Sequence, residues 1–138
     1  MNPFHLAIAV NDLEKTKLFY TTLFNASVGR EAEKWIDFNF FGHQLSTHLK
    51  PEEVYKAKTN EVDGKSVPVK HFGIVLDWEA WHDLADRLKQ NSTPFIIEPY
   101  IRFEGEVGEQ ATMFLSDPSG NALEFKSFKD KSRLFLAQ

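Results

Sequence analysis

The sequence contains no cysteine. Disulfides and thiolate ligands are thereby excluded, and any metal ion must be held by His, Asp or Glu. No apolar run approaches the roughly 20 residues that a membrane-spanning helix needs, so no membrane is expected as a partner. The opening segment MNPFHLAIAVND has no basic region and no small-residue cleavage site. It does not read as a signal peptide, and a cytoplasmic location is the default expectation. An excess of basic residues is also missing: 16 Lys and Arg stand against 20 Asp and Glu, a formal net charge of −4. Nucleic-acid binders usually carry a basic stripe, so nucleic acid is not an expected partner.

What is present is a chain of 138 residues, enough for one compact domain with a real core, and 13 of them are Phe. A ring-built core or pocket is expected. The hydrophobic pattern runs strand, helix and three strands, and then does so again. Residues 4–10 are a short apolar strand, and Asn11 precedes Glu14 at the spacing of a capping box. The helix that follows over 12–24 carries Leu13, Thr16, Tyr20, Leu23 and Phe24 on one face. Strands are predicted near 26–29, over 35–41 and, after a turn at Gly42, over 43–49. In the second half, a strand over 70–76 leads to Asp77, a plausible N-cap for a helix running to Asn91. Its inner face carries Trp78, Trp81, Leu84, Ala85 and Leu88. Strands follow at 95–102, 111–116 and 121–128, the last two joined by Asp117-Pro118-Ser119-Gly120, the residue choice of a type I turn.

The halves superpose as sequence. HLAIAVNDLE from His5 matches HFGIVLDWEA from His71 at an offset of 66, and Gly42 matches Gly120 at an offset of 78. The predicted fold is therefore α+β: two tandem βαβββ modules forming a curved, mostly antiparallel sheet around a central metal-binding cavity. Module 1 spans about 1–49 and module 2 about 69–130 of a single domain. The charged linker 50–68 is expected to hold a short helix near 52–58 and then an exposed connection, with a solvated linker favoured over a lid.

Duplication also selects the candidate chemistry. Taken singly, a histidine opening a strand is ordinarily a hydrogen-bonded or exposed side chain. His5 and His71, however, occupy one position in duplicated strands, so pseudo-twofold symmetry points both toward a shared axis. Glu124 sits between Leu123 and Phe125, and a carboxylate on an apolar strand is costly to bury unless paired or coordinating a metal. His5, His71 and Glu124 are thus the predicted ligands of one divalent ion, a two-His, one-carboxylate set with coordination positions left open.

The run SDPSGNALEF from Ser116 to Phe125, with the duplicated strand-opening histidines, resembles the vicinal oxygen chelate superfamily of glyoxalases, bleomycin-resistance proteins and extradiol dioxygenases. In metal-bearing members the ligands come from the first strand of each module and the last strand of the second, which implies the same three residues here. Glyoxalase I-like members add a fourth ligand from the last strand of the first module. The matching position is Ser46, a poor ligand, which counts against that assignment. The resemblance implies an enzyme acting on a small-molecule substrate that chelates the ion through neighbouring oxygens. An extradiol-type ring-cleaving dioxygenase with Fe(II) comes first. A non-redox lyase, isomerase or thiol transferase using Zn, Ni or Mn is the alternative, and a non-catalytic antibiotic-binding protein the rival class. A homodimer is also implied.

Period two puts Gln44, Ser46 and His48 on one face, with His48 either an acid/base near the metal or an exposed strand-end residue. Tyr100 is a candidate donor to an oxyanion and Arg102 a candidate holder of a substrate carboxylate or phenolate; the competing role is to cap a sheet edge or pair with Glu104 or Glu106. Phe38, Phe40 and Phe114 read as core, and His82 as a solvated helix residue.

Overall fold

A computed structural model describes residues 1–55 and 58–137. The chain divides into two compact units, residues 1–58 with 116–121, and residues 59–115 with 122–138.

The first unit holds β1 (His5–Val10), α1 (Leu13–Phe24), β2 (Ser27–Ala32), β3 (Trp35–Phe40) and β4 (His43–Leu49). Its sheet has the order β1-β4-β3-β2, with β1 parallel to β4 and the other neighbours antiparallel. Helix α1 is capped by Asp12, whose side chain accepts from the Lys15 N–H at 2.9 Å. The cap is thus one residue later than the Asn11 expected, and no capping box forms, since the third helical residue is Lys15; Asn11 instead bonds Ser119 through its backbone N–H and side-chain oxygen. Thr16, Tyr20, Leu23 and Phe24 form the buried face of the helix. Tyr20 packs among Phe24, Phe38 and Phe40 with ring centroids 5.5–6.0 Å apart, so the aromatic core expected from the Phe count is real here.

The turn at 117–120 belongs to this unit. The Gly120 N–H donates to the Asp117 carbonyl at 3.0 Å, closing the turn. Asp117 Oδ1 accepts from the backbone N–H groups of Ser119 and Asn121, while Oδ2 accepts from the Tyr20 hydroxyl and the Asn121 amide, each at 2.9 Å. Asn121 also donates to the Ala9 carbonyl. The DPSGN run is therefore a structural plug of the first unit.

The second unit holds β5 (Thr59–Val62), β6 (Lys65–Pro68), β7 (His71–Val75), α2 (Trp78–Gln90), β8 (Phe95–Arg102), β9 (Gln110–Ser116, its last residue counted with the first unit) and β10 (Ala122–Phe128). Its main sheet repeats the order of the first, β7-β10-β9-β8, again with the outer pair β7 and β10 parallel. Trp81, Leu84, Ala85 and Leu88 are the buried face of α2, and the Trp81 indole donates to the Phe125 carbonyl at 2.8 Å.

The linker differs from expectation. A 3-10 turn over Pro51–Glu53 replaces the start of the expected helix, and residues 56 and 57 of that segment lie outside the described residues. Beyond them, β5 and β6 form a hairpin across Asp63-Gly64, both at positive φ, 52° and 72°. Two such residues are what a type I′ turn demands, and Asp-Gly supplies them at low cost. Among the described residues, no helix is long and apolar enough to cross a membrane.

Candidate functional site

Strand register confirms the duplication residue by residue. In the first unit His5 pairs with Gln44 and Ala7 with Ser46; in the second His71 pairs with Ala122 and Gly73 with Glu124. Ser46 and Glu124 are therefore equivalent positions, as the glycine alignment expects.

In the second unit His71 and Glu124 come together, with Nε2 of His71 3.0 Å from Oε2 of Glu124. The other ring nitrogen, Nδ1, lies 2.5 Å from the Pro68 carbonyl and donates its proton there. That bond fixes the ring and turns Nε2 toward the carboxylate, the arrangement that orients imidazoles for metal ligation. Glu124 Oε1 accepts from the Thr112 hydroxyl at 2.8 Å, and the Lys126 ammonium lies 3.8 Å away. The Phe114 ring meets His71 edge-on with centroids 5.1 Å apart. Gly73 makes the close pairing achievable, since a Cβ there would overlap the backbone carbonyl of Glu124.

The electrostatics follow from these contacts. The hydrogen bond to Glu124 raises the His71 pKa, with help from the Pro68 carbonyl and the carboxylate charge, against burial and Lys126. Burial works to raise the Glu124 carboxyl, but His71, Lys126 and Thr112 together outweigh it and hold the pKa below its usual value. Without a metal, the two groups form a hydrogen-bonded pair in which each favours the charged form of the other.

The donor chemistry fits a divalent cation. His71 Nε2 and Glu124 Oε2 are an imidazole nitrogen and a carboxylate oxygen, donor types that would hold such an ion, and they lie side by side. His5 opens β1 in the first unit, exposed. Among the described residues, no group of three or more His, Cys, Asp or Glu side chains able to hold a metal ion is gathered.

Other predicted site residues sort as follows. His48 is an exposed residue of β4, opposite Trp35. His82 is exposed and its Nδ1 lies 2.8 Å from the Trp78 carbonyl. Phe38, Phe40 and Phe114 are core, each no more than 3% exposed. Among the described residues, the acidic partner of both Tyr100 and Arg102 is Asp63 rather than the expected Glu104 or Glu106. The Tyr100 hydroxyl donates to Asp63 at 3.1 Å, and its pKa is raised by burial first and then by the Asp63 and Glu124 carboxylates, with Arg102 opposing.

Two carboxylates were not among the candidates. Asp63 sits in the hairpin turn, and the Asp-Gly dipeptide is the signal that marks it. Asp37 is 8% exposed on β3, accepts from the Ser46 hydroxyl at 2.6 Å and from the Gln44 amide at 3.3 Å, and lies 3.8 Å from the exposed Arg30. The two units thus hold the same hydroxyl–carboxylate bond with its ends exchanged between strands: Ser46 on β4 serves Asp37 on β3, and Thr112 on β9 serves Glu124 on β10.

Comparison with known proteins agrees with this architecture. The family model for the glyoxalase/bleomycin resistance protein/dioxygenase superfamily matches residues 3–125. The crystal structure of a glyoxalase/bleomycin resistance protein/dioxygenase from Alicyclobacillus acidocaldarius is 34% identical, covers 97% of this chain and 96% of its own, and superposes with a TM-score of 0.80. The fosfomycin resistance protein FosX from Listeria monocytogenes shares the fold at 19% identity and a TM-score of 0.71, over 97% of this chain and 98% of its own. Lactoylglutathione lyase from Agrobacterium tumefaciens does so at 20% identity and 0.68, over 97% of each chain. No curated protein matches the chain in sequence. With a match over nearly its whole length, the chain belongs to the glyoxalase/bleomycin resistance protein/dioxygenase superfamily.

Proposed function

We propose that the protein is a metal-dependent enzyme acting on a small substrate that chelates one divalent ion through neighbouring oxygens, with His5, His71 and Glu124 as the protein's ligands. The observation that carries this reading is His71, locked by the Pro68 carbonyl with Nε2 3.0 Å from Glu124. An imidazole and a carboxylate are donor types that suit a divalent cation, and an imidazole held through its second nitrogen is oriented as ligating histidines are. When bound, the ion supplies Lewis acidity toward the substrate's oxygens and, if it is iron, redox chemistry with dioxygen.

The remaining roles fall to the protein's own groups. Thr112 fixes Oε1 of Glu124, and Oε2, which faces His71, is the oxygen that would ligate the ion. Arg102 and Tyr100 hold the anionic end of the substrate, and His48 accepts or returns a proton. Within this class, an extradiol-type ring-cleaving dioxygenase using Fe(II) is the first reading. Its support is the three-ligand set: the Ser46 hydroxyl is committed to Asp37 and adds no fourth anionic ligand from β4. The same set serves a non-redox lyase, isomerase or thiol transferase, and the fold shared with FosX and lactoylglutathione lyase keeps that reading second.

Oxygen uptake by Fe(II)-reconstituted protein across a panel of catechols separates the two. Uptake with ring opening, abolished in His71→Ala, supports the dioxygenase. Full iron loading with no uptake on any catechol, and turnover supported by Zn, Ni or Mn instead, would move the assignment to the non-redox class.

A further inference from the structure

One carboxylate of the second unit is bound as a ligand would be. Asp63, in the hairpin turn, places Oδ2 2.5 Å from Nε of Arg102 and Oδ1 3.4 Å from Nη2, while the Tyr100 hydroxyl donates to Oδ2 at 3.1 Å. Lys65, across the turn, sets its ammonium 4.8 Å from the centre of the Tyr100 ring. The Phe103 ring lies 5.1 Å from the guanidinium carbon. Arg102 and Tyr100 therefore hold one acid side chain that the hairpin carries in, with Lys65 against the Tyr100 ring and Phe103 against the guanidinium.

The fit is poor where it matters. Arg102 Nε is buried and, for all its closeness to Asp63, has no aligned hydrogen-bond acceptor. Its Nη1 reaches Gln110 only at 3.4 Å. A guanidinium offers a planar fork of donors, and its strong partners are carboxylates that meet two of them side by side. Asp63, carried on a two-residue turn, bonds Nη2 at 3.4 Å but approaches Nε off line, so one arm of the fork is left without an aligned acceptor.

We propose that Arg102 and Tyr100 form a binding site for the carboxylate of a small-molecule ligand, and that Asp63 is its built-in occupant, released when the ligand's carboxylate takes its place. A free carboxylate can turn into the plane of the guanidinium and satisfy Nε together with an Nη, which the tethered one does not. The flanking Tyr100 and Phe103 rings favour an aromatic acid. Release of Asp63 unpins the hairpin from β8, and the last residue of that hairpin, Pro68, holds the His71 ring. Occupancy of the carboxylate site is in this way mechanically joined to the imidazole.

This deepens the role given above to Arg102 and Tyr100 but needs no metal, so the two readings fail separately. Benzoate is the probe, titrated into the full chain after chelator treatment, with hydrogen exchange followed over residues 59–68. A site that must first expel its occupant binds with an apparent affinity reduced by the fraction of time it is open, so Asp63→Asn should bind benzoate about tenfold more tightly than the parent. In the parent, benzoate should speed exchange of the hairpin amides; in Asp63→Asn those amides should exchange fast before benzoate is added. Arg102→Gln, introduced into either background, should abolish binding. Equal benzoate affinity in the parent and Asp63→Asn would overturn the proposal, as would benzoate binding that leaves hairpin exchange unchanged or survives Arg102→Gln. Thermal unfolding of each variant guards against misfolding, and Arg102→Lys, which keeps the charge but not the fork, should bind more weakly than the parent if the planar geometry is what recognises the ligand.

Discussion

At the scale of single residues, the site rests on charges that burial would penalise if they stood alone. His71 has its pKa raised above the ordinary 6.5, so the stability it contributes is present below that pH and is lost as pH rises through the raised value. Glu124 is held below the ordinary 4.5, so its contribution is present above that pH and is lost as pH falls through the lowered value. Metal-free protein should therefore show a stability plateau between about 4.5 and 6.5 and decline on both sides. Glu124→Gln should remove most of that curvature and cost on the order of 1–2 kcal/mol within the plateau, read from urea unfolding across pH. Tyr20→Phe tests the plug under α1. Tyr20 is fully buried and its hydroxyl donates to Asp117, which burial leaves with a raised pKa. Losing that donor should cost about 1–2 kcal/mol, while three other hydrogen bonds to Asp117 keep the turn folded. Glu124 is legible in the sequence because it interrupts an apolar strand. Asp37 carries the same mark, between Ile36 and Phe38, but nothing in the pattern names Ser46 as its partner. Asp63 is harder still: its partners on β8 lie 37 and 39 positions away.

At the scale of elements, periodicity suffices wherever one face is buried. Both helices and the eight strands of the two main sheets follow from alternation and helical spacing, with ends shifted by a few residues at most. The β5–β6 hairpin escapes that reasoning for a physical reason. All four residues of β5 are exposed, so no apolar alternation marks the strand, and only the Asp-Gly turn betrays it. The helix cap shows the converse failure. Asn11 and Asp12 are both capping residues, and tertiary bonds from Asn11 to Ser119 decide between them. The sharpest element-level prediction concerns β7. Because a Cβ at position 73 would run into the Glu124 backbone, Gly73→Ala must push β7 away from β10. It should cost about 3 kcal/mol or more and widen the His71–Glu124 gap. Gly29→Ala, where the nearest atom is the Asp37 carbonyl oxygen at 3.4 Å, is the matched control and should fold normally. Chemical denaturation of the pair checks both.

At the scale of the whole molecule, one βαβββ plan is used twice in matching register but with different chemistry in each copy. The first half offers His5 and a carboxylate on β3; the second offers His71 and a carboxylate on β10. Duplication made the fold and the His5–His71 correspondence readable from sequence, because equivalent strands must carry equivalent faces. It could not reveal the exchange of hydroxyl and carboxylate between strands, since that depends on which neighbours meet across each sheet. We propose that His5, His71 and Glu124 share one divalent ion, and its binding to the folded state alone should also raise stability by about 2.7 kcal/mol at a hundredfold excess over Kd. The most direct test is the metal content per chain of protein purified without chelators, or reconstituted, for the parent and for His5→Ala, His71→Ala and Glu124→Ala. One ion per chain is expected in the parent, with its loss in all three variants. A parent that takes up no divalent ion, or a His5→Ala variant that keeps its full complement, would contradict it.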